Sequence, residues 1–389
     1  MPALEDGNYE LIQRIKHKIL ESGKIPFRDF MQMALYTPNL GYYTSGREVW
    51  GKRGDYLTSP DIHHVFGKLI CKQLFEMWQV LGEPQNFTII EAGAGNAALS
   101  LEVIKSAKDL SSEFYKSINL IIIEINPFQK ERVKAGTHPK DGWGASVNKI
   151  SWYDSIAQIK DKITGCIISN ELIDAFPVHV IVNENGTLKE VYVSIEDNSF
   201  IEVLDVPSNP AIEEYLKDIS LAHGQRIEVN LEAVNYIKNA ANILDKGFVI
   251  TIDYGLPAKE FYETFRNGSL LCYYKHKIND NPYNRIGFQD MTSHVDFTNL
   301  AKYGKEAWLE ITGFTTQIYF LMALGILDEF KTIEDLSIKD ISQIEWNQKL
   351  KELIMPGGMG SEFKVLIQHK GIDKPKLKGF SYRDFKDEL

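Results

Sequence analysis

The sequence predicts an α/β protein: a mostly parallel sheet with an N-terminal helical cover and an antiparallel β insertion. Three observations predict it. Four short apolar runs, Phe87–Glu91, Asn119–Ile125, Thr164–Asn170 and Gly247–Gly255, have strand length. Such runs suit parallel strands that are covered on both faces. The first run leads through a glycine turn into a helical pattern with Leu99, Val103 and Ile104 on one face. Strand, turn, helix and strand make a right-handed, Rossmann-like βαβ unit. Finally, Val178 to about Leu204 alternates apolar and polar residues around Asn185-Gly186, a hairpin signal.

The remaining elements follow in order. Residues 1–85 carry two helical patterns, around 9–35 and 61–80, and form the cover. AIEEYLKDIS and LEAVNYIKNAANIL read as helices leading back into the Gly247–Gly255 strand. Residues 256–300 are rich in Tyr, Asn, His and Gly, with few apolar runs. They read as a long irregular segment of the kind that serves as a lid or binding loop. TTQIYF and SEFKVLIQHK read as closing strands, with Pro356-Gly357-Gly358 as the turn before the last. The boundaries expected are a cover at 1–85, a core at 86–177 and 246–389, and an inserted recognition region at 178–245. No low-complexity linker divides the chain, so one compact body is expected.

Composition narrows the function. The net charge of −10 opposes a protein whose main work is gripping phosphate backbones, so nucleic acid is an unlikely partner. A basic protein or peptide suits the sign better. Cys71, Cys166 and Cys272 have no metal-like spacing, and no metal site is expected. The segment YELIQRIKHKIL is charged and helix-like, and no apolar run approaches the ~18 residues of a membrane span. A cytoplasmic protein without membrane insertion is expected. A homo-oligomer is compatible with all of this.

The glycine turn carries the chemistry. In EAGAGNAALS, Gly93-Ala94-Gly95-Asn96-Ala97-Ala98 satisfies the loose dinucleotide pattern G-x-G-x-x-G/A. Glycines let a ligand approach the backbone, and the following helix N-terminus favours negative charge. NAD brings a pyrophosphate. S-adenosylmethionine brings an ammonium and a sulfonium. Glu91 leads straight into the turn, where a carboxylate repels a pyrophosphate and suits an ammonium. Glu124, near the end of the next strand, can accept both ribose hydroxyls. It lies 31 residues after Gly93, against about 20 in dinucleotide folds. The two acids favour S-adenosylmethionine over a dehydrogenase cofactor. GREVWGK, Gly46 to Lys52, mimics a phosphate loop, but Arg53 replaces the Ser/Thr that would meet Mg²⁺.

The third strand ends in SNELIDAFPV. It puts Asn170, Glu171 and Asp174 outside a strand end, where ligands of open α/β sheets bind. Glu171 and Asp174 are three apart, so a helical turn would bring them onto one face. Two carboxylates can hold a guanidinium through its fork of donors, and one can help remove its proton. Asp253, ending the fourth strand, is left open between a structural and a site role. His63, His64, His276 and His294 occupy polar segments without metal spacing.

Several blocks in one order resemble the MidA-like S-adenosylmethionine-dependent methyltransferases, over nearly the full length. They are Phe27–Tyr43, GDYLTSPDIHHVFG (Gly54–Gly67), EAGAGNAAL, SNELIDAFPVHV, ITIDYG, GFQDMTSHVDF (Gly287–Phe297), FTTQIYFLMALGI and PGGMGSEFKVLI. The resemblance implies a class I methyltransferase core. It places Asp55, Thr58, Ser59 and Pro60 against the cofactor, beside Glu91, Gly93, Ala94, Gly95, Asn96 and Glu124. It turns Asn170, Glu171 and Asp174 toward the acceptor. Mitochondrial members include an arginine methyltransferase of complex I assembly, which implies a protein substrate, by analogy a respiratory-complex subunit. Two departures stand out. Ala97 replaces a glycine often found in the family's turn, and Leu271 replaces a common arginine. The expectation is therefore methyl transfer to a protein arginine. The alternatives are another acceptor, such as an RNA base or a small amine, and an assembly factor that binds the cofactor without essential catalysis.

Overall fold

The structure is a computed structural model and describes residues 7–47, 49, 58–135, 150–331 and 338–389. Two helices come first, α1 (Tyr9–Ser22) and α2 (Phe27–Tyr36). Then α3 (Val65–Val80) precedes β1 (Phe87–Ala92), α4 (Ala98–Leu110), β2 (Ile118–Ile123) and α5 (Pro127–Lys134). Strands β3 (Ile150–Tyr153) and β4 (Ile163–Asn170) follow. An antiparallel group comes next: β5 (His179–Glu184), β6 (Thr187–Glu196), β7 (Ser199–Asp205) and β8 (Arg226–Val229). After α6 (Leu231–Ile243) come β9 (Leu244–Leu256), β10 (Leu271–Tyr274), β11 (Lys277–Asn279) and β12 (Asp290–Thr292). The chain closes with β13 (Glu310–Thr316), α7 (Ile338–Ile354) and β14 (Phe363–Lys370).

These elements fall into two compact units, each assembled from three stretches of chain. The sheet unit comprises Leu57–Leu172, Ile237–Gly255 and Ala301–Leu389. The hairpin unit comprises Met1–Tyr56, Ile173–Tyr236 and Leu256–Leu300. Because the chain crosses between units several times, no single linker marks the division in the sequence.

In the sheet unit the strands run in the order β13-β14-β9-β4-β1-β2-β3. The pairs β1–β2, β1–β4, β2–β3 and β4–β9 are parallel, and β14 runs antiparallel between β9 and β13. The four apolar runs are the parallel centre, as their lack of a polar face predicts. The core gathers Phe66, Leu69 and Leu74 of α3, Leu99 and Val103 of α4, and Ile89, Ile122 and Ile250 of the sheet.

In the hairpin unit β6 pairs antiparallel with β5 and β7, and β5 with β8. Asn185 and Gly186 both have positive φ, 52° and 86°, as a two-residue type I′ turn requires. The strands form a sheet of their own. Helix α1 buries Leu11, Ile15 and Ile19, spaced by four, and Asn8 caps its start by accepting the Leu11 amide at 3.3 Å. Their cluster includes Phe27 and Phe30 of α2 and Val180, Val191 and Val193 of the sheet.

Two expectations are corrected. Residues 256–300 are not irregular: they hold a short helix, Ala258–Thr264, and a three-stranded antiparallel sheet, β11-β10-β12. The strands are only three or four residues long, too short for an alternation to show. TTQIYF is also not a strand. β13 ends at Thr316, and Gln317–Ala323 is helical. Among the described residues no helix is long and apolar enough to cross a membrane.

Candidate active site

β1 ends in a turn that only an unusual backbone can make. Gly93, Gly95 and Ala97 have φ of 71°, 54° and 56°. Glycine takes these values freely, whereas an L-residue pays about 1–2 kcal/mol. Ala97 bears that strain at the position where the resembling family often has glycine. A Cβ on Gly93 would lie 2.6 Å from Leu172 Cδ1. The amides of Gly93 and Ala94 donate to the Ile123 carbonyl at the end of β2, at 2.9 and 3.2 Å. The turn is thus stitched to the neighbouring strand.

The protein itself fills the helix N-terminus beyond this turn. Glu91 Oε2 accepts the Ser100 amide at 3.0 Å, and the Ser100 hydroxyl donates to the same oxygen. Asn96 Oδ1 accepts the Ala98 amide at 3.0 Å. First-turn amides that a pyrophosphate would need are therefore taken by the chain's own oxygens. Glu91 is buried. Burial pushes its carboxyl up to about 7, against the pull of the Ser100 bonds, and the nearby Glu124 charge adds to the rise.

Glu124 braces the other side. Its Oε2 accepts the Gly95 amide and its Oε1 the Asn126 amide, both at 2.7 Å. Burial raises its pKa, while these two amides and Lys130 oppose the rise. Asn126 in turn caps α5, accepting the amides of Phe128 and Gln129, with Pro127 at the first helical position.

Asp61 completes the turn, and sequence reasoning missed it. Its Oδ1 accepts Asn96 Nδ2 and its Oδ2 accepts Thr58 Oγ1, each at 2.8 Å. The only sequence signal is its place three residues after Thr58 in TSPD. Ser59 donates its amide to Glu171 Oε1 at 3.0 Å, and Asn170 Nδ2 donates to the same oxygen at 3.0 Å. Pro60 sits at the start of the short helix Ser59–Ile62. Asp55, and much of the GREVWGK stretch, lie outside the described residues.

Glu171 has φ of 52° and is held by its amide on the Ile252 carbonyl, 2.9 Å away. A left-handed glutamate at a strand end is the kind of strain found at functional positions. Asn170 is nine-tenths buried, and its Oδ1 has no hydrogen-bond partner among the described residues. The structure thus joins Thr58, Ser59, Asn96, Glu124, Asn170 and Glu171 by direct or one-residue links around the turn. Asp253, also of this unit, is fully buried and accepts the Tyr254 amide at 2.9 Å.

Asp174 belongs to the hairpin unit. Its carbonyl accepts the Ser293 amide at 2.9 Å. Tyr36 Oη and Asn230 Nδ2 hold the neighbouring carbonyls of Ala175 and Ile173. Among the described residues no group of His, Cys, Asp and Glu is arranged to hold a metal ion.

The residues fit S-adenosylmethionine. The turn carries no side chain at Gly93 or Gly95 to keep a ligand from its backbone, a carboxylate stands at the end of each of two adjacent strands, and the helix N-terminus is already neutralised. Comparison with known proteins agrees. Residues 69–315 match the family described as "Putative S-adenosyl-L-methionine-dependent methyltransferase". The chain belongs to that family. Its MidA-like relatives are similar over nearly the whole length. The "Protein arginine methyltransferase NDUFAF7 homolog, mitochondrial" of Drosophila melanogaster is 27% identical, over 97% of this chain and 90% of that one. The Homo sapiens "Protein arginine methyltransferase NDUFAF7, mitochondrial" is 26% identical, over 96% and 86%. A crystal structure from Burkholderia thailandensis, bound to S-adenosyl-homocysteine, superposes with a TM-score of 0.86. It is 25% identical and covers 98% of this chain and 97% of its own. The fold is that of a class I methyltransferase, and the cofactor of this family is S-adenosylmethionine.

Proposed function

We propose that this methyltransferase transfers a methyl group to the guanidinium of an arginine in a protein substrate. The observation that carries the reading is the Glu91–Ser100 cap. It places a carboxylate where a dinucleotide enzyme receives a pyrophosphate, and so leaves a turn suited to a cationic ligand. Glu91, Gly93, Ala94, Gly95, Asn96 and Glu124 would hold S-adenosylmethionine, with Thr58, Ser59 and Pro60 beside them. When bound, the cofactor supplies an electrophilic methyl on a sulfonium.

The rest of the chemistry belongs to the acceptor side. A guanidinium is a poor nucleophile while its charge is delocalised. A carboxylate that fixes one nitrogen and takes its proton localises a lone pair there. We assign that work to Glu171 and Asp174, three residues apart in the chain, with Asn170 orienting Glu171 through its amide. Positioning of this kind supplies most of the rate in a displacement that needs no further activation. The arginine assignment draws its support from the names of the relatives and from the paired acids.

The test is labelling of a cell lysate by the purified protein with tritiated S-adenosylmethionine, followed by protease or nuclease digestion and mass spectrometry. Label on arginine supports the reading. Label on RNA or on a small amine would replace it with the alternative acceptor. A reducing compartment such as the cytoplasm is the proposed location, in keeping with three cysteines that are all free and buried.

A further inference from the structure

We propose that Asp290, together with Asp174, binds the guanidinium of an arginine of the protein substrate on the face of the small β10–β12 sheet. The inference rests on the arginine reading above and adds to it the hairpin-unit residues that recognise the cation.

The geometry starts from strand register. In the antiparallel pair of β10 and β12, Tyr273 stands opposite Asp290 and Leu271 opposite Thr292. Residues two apart share a face of a strand. Leu271, Tyr273, Asp290 and Thr292 therefore project from one side of this sheet. Cys272 and Met291, opposite each other between them, point the other way and join the unit's apolar core.

The β12 side of this face is polar and buried. Asp290 is 1% exposed and Thr292 3%. Asp290 Oδ1 accepts Tyr43 Oη at 2.7 Å and the Met291 amide at 2.8 Å. Thr292 Oγ1 has no hydrogen-bond partner among the described residues. A buried hydroxyl without a partner costs about 1–3 kcal/mol, so Thr292 marks a place where a polar ligand would be satisfied.

Asp174 is brought to the same place. The Ser293 amide donates to its carbonyl. Burial pushes the Tyr273 phenol up, and the charges of Asp174 and Asp290 both add to that rise. One tyrosine thus feels two carboxylates from different segments of the unit.

Two carboxylates, a hydroxyl acceptor and an aromatic ring describe a guanidinium. It offers five N–H donors in a plane and no acceptor, and its flat cation packs on a ring face. A neutral amide or urea would leave the carboxylates unmatched.

The test uses the full chain saturated with S-adenosylhomocysteine, with ethylguanidinium as the probe and calorimetry or NMR as the readout. Ethylguanidinium is expected to bind the wild-type protein, and ethylurea, neutral and of the same shape, is not. Asp290→Asn should weaken ethylguanidinium by about tenfold or more, as loss of a charge-assisted bond does, and leave S-adenosylhomocysteine affinity unchanged. Thr292→Val keeps the shape of the side chain and should weaken the probe by about threefold. It also keeps the proposal testable if Asp290→Asn does not fold. Equal binding of ethylguanidinium by the wild type and by either folded variant overturns the inference, as does no binding by the wild type. The arginine reading fails on a different observation, methyl label found on a residue other than arginine.

Discussion

The carboxylate of Glu91, near the end of β1, receives both the amide and the hydroxyl of Ser100 in the first turn of α4. One residue thereby closes the helix start, charges it and shuts out a competing anion. The consequence is measurable as a pH dependence. Glu91 has its carboxyl raised by burial from 4.5 to about 7. A raised acid contributes stability that is complete below about 4.5 and lost as pH rises through about 7. Glu91→Gln removes that titration and keeps an oxygen for Ser100. Thermal melts should place the two proteins together near pH 4.5 and the variant higher at pH 8, by an amount on the order of 3 kcal/mol at most. A wild type that remains the more stable at pH 8 would show that α4 needs the charge.

Gly93 tests the turn. Valine there combines a left-handed backbone with a Cβ against Leu172. Calorimetry with S-adenosylhomocysteine should show a loss of about tenfold or more, since the strain alone is about 1–2 kcal/mol. Unchanged affinity in a folded Gly93→Val protein would remove the turn from the cofactor site.

Glu124 has two tasks that can be separated. It holds the Gly95 and Asn126 amides, and it is assigned to the ribose. Glu124→Gln keeps one acceptor oxygen and should lose less S-adenosylhomocysteine affinity than Glu124→Ala, for which a loss of about tenfold to a hundredfold is expected. NADH fluorescence should show no binding to either variant or to the wild type.

Glu171→Gln and Asp174→Asn separate binding from chemistry. Each should bind S-adenosylhomocysteine within a few-fold of the wild type, while methyl incorporation falls by about a hundredfold, the range of a lost general base. Normal incorporation by both variants would remove these acids from the chemistry, whereas lost incorporation with full function in cells would point to the reading in which the bound cofactor is a structural ligand.

The legible parts of this protein are those written in short range. Four apolar runs name the parallel strands, because a buried strand has no polar face to hide. Asn185-Gly186 names its turn, because both residues tolerate positive φ. The glycine turn and the acids around it are visible because E-x-G-x-G is contiguous. Asp61 is not visible: its two bonds go to Thr58 and Asn96, and the second partner is 35 residues away. Nor is the β10–β12 sheet, whose strands are too short to show a period. Its Asp290 gains meaning only from its cross-strand neighbour Tyr273 and from Asp174.

By itself the sequence determined the α/β class and the glycine turn with the acids beside it, since periodicity and local backbone preference depend on neighbours along the chain. Only the tertiary structure decided what each acid does. Glu91 proves to be a helix cap and Glu124 a brace of the glycine turn, while Glu171 and Asp174 fall to different units. Hydrogen bonds between segments far apart in sequence depend on distance in space, and no local pattern encodes that distance.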